Sequence, residues 1–181
     1  MRSKGFDGMV CPIAGALAAI GDRWGALILR DLSLGIGRYD EFRRSTGVTN
    51  ATLSDRLKHL EAQGLVERRL YQSNPERHEY RLTAKGWEIV PVMVALAELG
   101  ERWDAESGGS PPLVFVNRHT KAPVRSTLVD QKTGEALKFS DLRPTSGPGA
   151  DDLVRWRLSH ADKRAARAGD AETPAQLEPQ R

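Results

Sequence analysis

The chain has 181 residues, of which 39% are hydrophobic and 28% charged, the balance of a soluble globular protein. No apolar run approaches the roughly 20 residues of a membrane span. The N-terminus "MRSKGFDGMVCPIAG" has no secretory apolar core or cleavage site, so a cytoplasmic protein is expected. The single cysteine, Cys11, excludes an internal disulfide or a cysteine-based zinc site within one chain.

The net charge of +3 says little about a polyanionic partner, but its distribution says more. Residues 38–81 hold nine Lys/Arg against seven Asp/Glu, whereas residues 82–110 hold two against five. A mildly basic segment followed by an acidic one suits a protein with one face toward phosphate and another toward itself.

In chain order, "CPIAGALAAI" (11–20) reads as a short apolar helix with Pro12 in its first turn. A second helix follows from about Asp22 to Leu34, burying Trp24, Leu27, Ile28 and Leu32 and stopping at Gly35. "IGRY" (36–39) reads as a short strand, and "DEFRRST" as a third helix with Phe42 inward and Gly47 at its end. Thr49 or Asn50 caps the next helix, about Ala51 to Gln63, whose apolar stripe is Leu53, Leu57 and Leu60. After Gly64, "LVERRLY" (65–71) and "HEYRLT" (78–83) read as two strands joined by the polar loop "QSNPER". Thr83 then caps one long helix through about Trp103.

This order describes an α+β, mainly α fold: a winged helix-turn-helix with an added C-terminal helix. With the leucine stripe facing the core, the outward arc of its helix holds Ala51, Asp55, Lys58 and His59, with Asn50, Thr52 and Ser54 near the N-terminus. A helix fits a DNA major groove, and a β-ribbon can lie along the neighbouring backbone or minor groove.

The residues "CP…IGDRWGALILRDLSLGIGRYDEFRR…TLSDRLKHLEAQGLVERRLY…PERHEYRLTAKG" resemble the HxlR-type regulators, a MarR-like branch of winged-helix proteins. The resemblance runs from Cys11 to about Trp103 and rests on three separate signatures: "GDRW" (21–24), "LKHLEAQGLVER" (57–68) and "EYRLTAKG" (79–86). It implies a homodimer, built on the first and last helices, that binds a pseudo-palindromic double-stranded operator beside its own gene or a divergent neighbour.

Asn50, Thr52, Ser54, Asp55 and Lys58 are the candidates for base reading and helix positioning, since Asn and Ser/Thr bond base edges or phosphates and Asp accepts from a cytosine amino group. The plain alternative is a solvated helix face. Arg56, at the flank, is a candidate phosphate clamp or an intrahelical partner of Glu61 or a neighbouring acid. Arg38, Arg43 and Arg44 precede the reading helix and could hold the backbone, at least one of them being only a surface residue. In the wing, Arg77 matches the basic tip position of the resembled family, with Arg69 second; Arg69 and Arg81 could instead pair across the strands with Glu79 and Glu67. Trp24, Trp87 and Trp103 read as core or dimer packing rather than a ligand pocket.

In some members of the resembled family a cysteine before proline near the N-terminus is a thiol switch. At a helix N-terminus the dipole favours the thiolate, so Cys11 is a redox candidate, and a small buried apolar residue is the alternative.

The resemblance implies that residues 1–106 form the DNA-binding and dimerisation domain; 107–112 ("SGGSPP") reads as a linker by composition. Residues 113–150 form a small β-rich extension in which 113–119, 124–131 and 135–143 read as three short strands or two strands and an edge. It resembles a zinc ribbon carried by some members, here without cysteines; Thr120, Lys121 and Gln131 to Thr133 occupy the turn regions, and His119 alone makes no metal site. Residues 151–170 suggest a helix anchored by Leu153, Trp156 and Leu158, its basic Lys163, Arg164 and Arg167 either flanking DNA or solvated, before a disordered tail to 181.

The four histidines, His59, His78, His119 and His160, fall in unrelated elements, and no phosphate loop, nucleotide-binding glycine fingerprint or nucleophile motif is present. The reading is therefore a regulator without catalysis or cofactor, a repressor rather than an activator, responding to an oxidant, a small molecule or nothing; a winged helix that binds protein instead of DNA is the alternative. That alternative predicts an apolar patch on the outward helix face.

Overall fold

The computed structural model describes residues 5–6, 8–105 and 108–168, with side chains described as far as residue 160. Four helices come first: α1 (Pro12–Ile20), α2 (Arg23–Ser33), α3 (Tyr39–Thr46) and α4 (Asn50–Ala62). Strands β1 (Val66–Ser73) and β2 (Glu76–Leu82) pair antiparallel as the wing, from Val66 opposite Leu82 out to Ser73 opposite Glu76. Helices α5 (Ala84–Trp87) and α6 (Val90–Ala105) follow. The extension contributes β3 (Leu128–Val129), β4 (Ala136–Leu137) and then α7 (Asp152–Ala168).

One core holds the winged helix together. Ile28, Leu29 and Leu32 from α2, Phe42 from α3, Leu53, Leu57 and Leu60 from α4, and Leu65, Val66 and Leu82 from the wing base are all buried. The leucine stripe of α4 is therefore the face that packs inward, as its spacing predicts. In α2 the inward arc is rotated from the expected one. Leu29 is fully buried while Trp24 and Leu27 are only partly so, because α2 packs between α3 and α4 rather than against a single partner.

Three expected elements differ. "IGRY" is not a strand: it makes a single bridge, Arg38 to Glu79, beside a Tyr80 N–H bond to the Gly37 carbonyl at 2.8 Å. A Cβ on Gly37 would stand 2.6 Å from the Tyr80 carbonyl oxygen, so only glycine admits this approach. The strands of the wing run further than expected, and the polar loop shrinks to a turn at Asn74–Pro75, with a bulge between Leu70 and Gln72. The long C-terminal helix is two helices. Pro91 has no N–H for the Trp87 carbonyl and its ring would collide with it, so the chain turns at Glu88–Ile89 before α6 begins.

The extension is held by turns more than by strands. Its three expected strands reduce to the β3–β4 pair and one bridge, Val116 to Pro123. In one turn the Asn117 side chain accepts from the amides of His119 and Thr120; in the other Asp130 accepts from Lys132 and Thr133. Ser126 joins the extension to α6 by bonding the Glu98 carboxylate through both its amide and its hydroxyl. Among the described side chains of 113–160 none is buried. The tail expected beyond residue 170, and the side chains of Lys163, Arg164 and Arg167, lie outside what is described.

Candidate nucleic-acid interface

The reading helix is fixed at its N-terminus from two directions. Thr49 is the cap: its side-chain oxygen accepts from the Thr52 amide at 3.3 Å, satisfying one of the free amides of the first turn. Tyr39, at the start of α3, donates to the Asn50 carbonyl at 2.8 Å and shares a 2.9 Å hydrogen bond with Ser54 Oγ. These bonds span 11 and 15 residues and tie α3 to α4 beside the core, against which Tyr39 packs. Glu41 in turn accepts from the Arg38 and Gly37 amides at 2.9 and 3.2 Å, and those bonds hold its carboxyl below the usual carboxylate range. Asp31, wholly buried beneath α3, accepts from Arg30 at 2.7 and 2.9 Å, and the same guanidinium reaches Ser45 at 3.2 Å.

On this frame Asn50, Asp55 and Lys58 are exposed, and Thr52 and Ser54 are half-buried. Ser54 is engaged by Tyr39 rather than free. His59, expected on the outward arc, is not there. Its Nε2 lies 2.9 Å from the Ala18 carbonyl and 3.2 Å from that of Ala19, at the end of α1, because α1 packs against this flank of α4. Arg56 does not pair with Glu61, but it does meet the neighbouring acid Asp55 on its own helix, and also Asp22 outside it. Its Nε lies 3.1 Å from Asp22 Oδ2, and its Nη2 3.5 Å from Asp55.

Before the reading helix, Arg43 and Arg44 are exposed and carry no ion pair among the described residues, whereas Arg38 lies over the Tyr71 ring at 4.5 Å. In the wing, Arg77 stands exposed at the tip, again without an ion pair among the described residues. Arg69 and Arg81 do pair, but along their own strands: Arg69 with Glu67 at 2.7 Å and Arg81 with Glu79 at 2.6 Å. The register sets Arg69 opposite Glu79 and Glu67 opposite Arg81, so the four make a charge-balanced face lining an open cleft of about 750 Å³ at the base of the wing. Such exposed pairs contribute at most about 1 kcal/mol each, so either arginine can exchange partner at little cost. Burial raises the Tyr80 phenol above its ordinary value on the opposite face of the ribbon.

The sequence reading missed Tyr39, Asp31 and the contacts of His59 and Arg56. Each depends on a partner brought near by packing, and residue type alone carried no signal for it.

Comparison with known proteins decides the family. The profile of the HxlR-like helix-turn-helix matches residues 19–107. Over 134 residues the chain is 35% identical to the uncharacterized HTH-type transcriptional regulator Rv3095 of Mycobacterium tuberculosis, covering 74% of this chain and 84% of that protein. The chain belongs to the HxlR-like family. The uncharacterized HTH-type regulator sll1512 of Synechocystis is 38% identical over 97 residues, 53% of this chain and 72% of its own. Among solved structures, the putative transcription factor PA1607 superposes with a TM-score of 0.65 at 30% identity, over 80% of this chain and 100% of that one. PA1374 of Pseudomonas aeruginosa, another putative transcription factor, gives 0.56 at 36% identity over 82% and 100%. Both matches reach past the winged helix, so this HxlR-like chain shares more than its DNA-binding half with them. Fold and family are those of a helix-turn-helix transcriptional regulator.

Within this HxlR-like chain, Cys11 is the residue before α1; it is half-buried and its side chain caps no amide of the helix. Helices α1 and α6 carry outward apolar side chains: Ile13 is 71% exposed, Trp103 63%, and α6 buries no residue at all among those described. No single helix among the described residues is long and apolar enough to cross a membrane.

Proposed function

We propose that the protein is a homodimeric repressor that sets α4 of each copy into successive major grooves of a pseudo-palindromic operator, about 34 Å apart. The observation that carries this reading is the division of α4 into two faces. Leu53, Leu57 and Leu60 are at most 1% exposed, and the opposite face offers Asn50, Asp55 and Lys58 with no apolar patch. A protein-docking helix would present apolar side chains there.

Asn50, Thr52, Asp55 and Lys58 read base edges or position the helix; Arg43 and Arg77, exposed and unpaired among the described residues, hold phosphates. Arg38 and Arg69 reach phosphate only by leaving Tyr71 and Glu67, and stand second. Arg56 and Ser54 are engaged within the protein and are assigned to positioning. The exposed faces of α1 and α6 supply the dimer contact. Cys11 begins α1, so an oxidant bridging two copies there acts on dimer geometry and through it on the spacing of the reading helices.

The test is titration onto labelled DNA from upstream of the gene against scrambled DNA, at several salt concentrations, reduced and oxidised. Specific binding with a steep salt dependence supports the reading. Arg77→Ala weakens binding on every sequence and flattens the salt slope by about one unit. Equal, salt-insensitive affinity for both DNAs would move the function to protein binding.

A further inference from the structure

The joint between α1 and α2 touches α4 through two side chains, His59 and Arg56, that contact no DNA in the reading above. His59 Nε2 reaches back 41 and 40 residues to the last carbonyls of α1, at 2.9 Å from Ala18 and 3.2 Å from Ala19. One turn earlier on α4, Arg56 Nε lies 3.1 Å from Asp22 Oδ2, in an approach too bent to be a hydrogen bond. Asp22 is already committed: its Oδ1 caps α2, accepting from the Trp24 and Gly25 amides at 3.0 Å each. One carboxylate therefore starts α2 and holds α4.

The joint has little slack. Gly21 sits at φ +92, and a Cβ there would stand 3.1 Å from His59 Cδ2, so a side chain would be both strained and pressed on the imidazole. A Cβ on Gly25 would stand 2.0 Å from the Ile20 carbonyl oxygen, so the end of α1 rests directly on the first turn of α2. Helix α1 is a nine-residue rod, about 13 Å long, whose outward Ile13 and Leu17 are 71% and 49% exposed. Helix α1 meets α4 through His59, and the capped start of α2 meets it through Arg56, so a displacement of the joint is felt at both contacts.

We propose that Asp22, Arg56 and His59 form a clasp that sets the position of the reading helix relative to α1, and so the half-site spacing the dimer accepts. This rests on the DNA-binding dimer proposed above. The clasp makes Arg56 a positioning residue, in contrast to a phosphate ligand, and the two roles predict opposite results for one substitution. Asp22→Asn keeps a side-chain oxygen for the α2 cap but removes the charge that holds Arg56. If Arg56 positions α4, Asp22→Asn weakens specific binding; if Arg56 is a phosphate ligand restrained by Asp22, the same change frees it and strengthens binding.

The experiment uses the full chain and a duplex enriched by the unmodified protein from a random-sequence pool, together with copies whose half-site spacing is changed by one base pair. Dissociation constants are measured over a range of salt for the unmodified protein, Asp22→Asn, Arg56→Gln, the double variant and His59→Ala, with thermal unfolding and sedimentation alongside. The clasp predicts that each single variant loses about tenfold in affinity and that Asp22→Asn with Arg56→Gln loses no more than either alone. The salt slope stays unchanged, and the penalty for altered spacing shrinks. Tighter binding by Asp22→Asn, a shallower salt slope for Arg56→Gln, or an intact spacing penalty in all variants overturns it. Should Asp22→Asn unfold, Arg56→Gln decides alone, because Arg56 caps no helix. An unmodified protein that enriches no sequence sinks the regulator reading and the clasp together, whereas enrichment with multiplicative variant effects sinks only the clasp.

Discussion

Residues 23–82 and residues 113–160 are held by different means. The first stretch turns its apolar periodicity inward on one core, with Phe42, Leu53 and Leu60 wholly buried and the Phe42 ring meeting that of Tyr80 edge-on at 6.3 Å. The second keeps its apolar side chains at the surface, Phe139 at 76% and Trp156 at 57%, and owes its shape to Asx turns, two short strands and the Ser126–Glu98 bonds. Backbone hydrogen bonds and turn chemistry suffice to shape a chain locally. Only burial of area supplies the free energy that makes a fold cooperative.

That contrast breaks most readily at Phe42. Phe42→Ala is expected to cost about 3–5 kcal/mol, read as a fall in the midpoint of denaturant unfolding; a cost under about 1 kcal/mol would mean that the core is loosely packed there. The frame around α4 comes next. Thr49→Ala removes the cap and should cost about 1 kcal/mol. Tyr39→Phe removes a hydroxyl bonded to both Asn50 and Ser54, at a similar cost of about 1 kcal/mol, and should weaken operator binding by more than its effect on stability explains.

Acid unfolding sharpens the comparison at a smaller scale. The amides of Arg38 and Gly37 lower the Glu41 pKa in the folded protein. Its contribution is therefore complete above the unfolded value, about 4.3, and is lost as pH falls through the lower folded value. Glu41→Gln should remove that part of the acid limb and leave the neutral-pH limb of the stability profile nearly parallel to that of the unmodified protein. The smallest effect belongs to the extension: Phe139→Ala should stay within about 0.5 kcal/mol. A loss as large as that of Phe42→Ala would show that the extension is buried in an assembly.

The winged helix was legible because its signals are local. Leucines at helical spacing, glycines after α3 and α4, and Thr49 before a polar-apolar run each act within a few residues of themselves. The two helices at 84–105 look like one in the sequence because the apolar pattern runs through the break that Pro91 imposes. The three expected strands of the extension came from alternation in stretches that never gain a partner long enough to pair with.

At the site, residue types and their face on α4 were legible, and their engagement was not. Lys58 and Asp55 stand outward as the 100° rotation requires, while His59, one residue on, turns to the end of α1. Arg56 and Ser54 look as available as Lys58 on a helical projection, yet one meets Asp22 and the other Tyr39.

The sequence by itself determined the first four helices and the two wing strands, the inward face of α4 and the family, because periodicity, capping and turn chemistry are properties of neighbouring residues. Tertiary structure alone decided which cations remain free and which hold the reading helix in place. The ties of α4 to Tyr39 and to the end of α1 join groups 11 to 41 residues apart, and only packing of the core brings such groups within hydrogen-bonding distance.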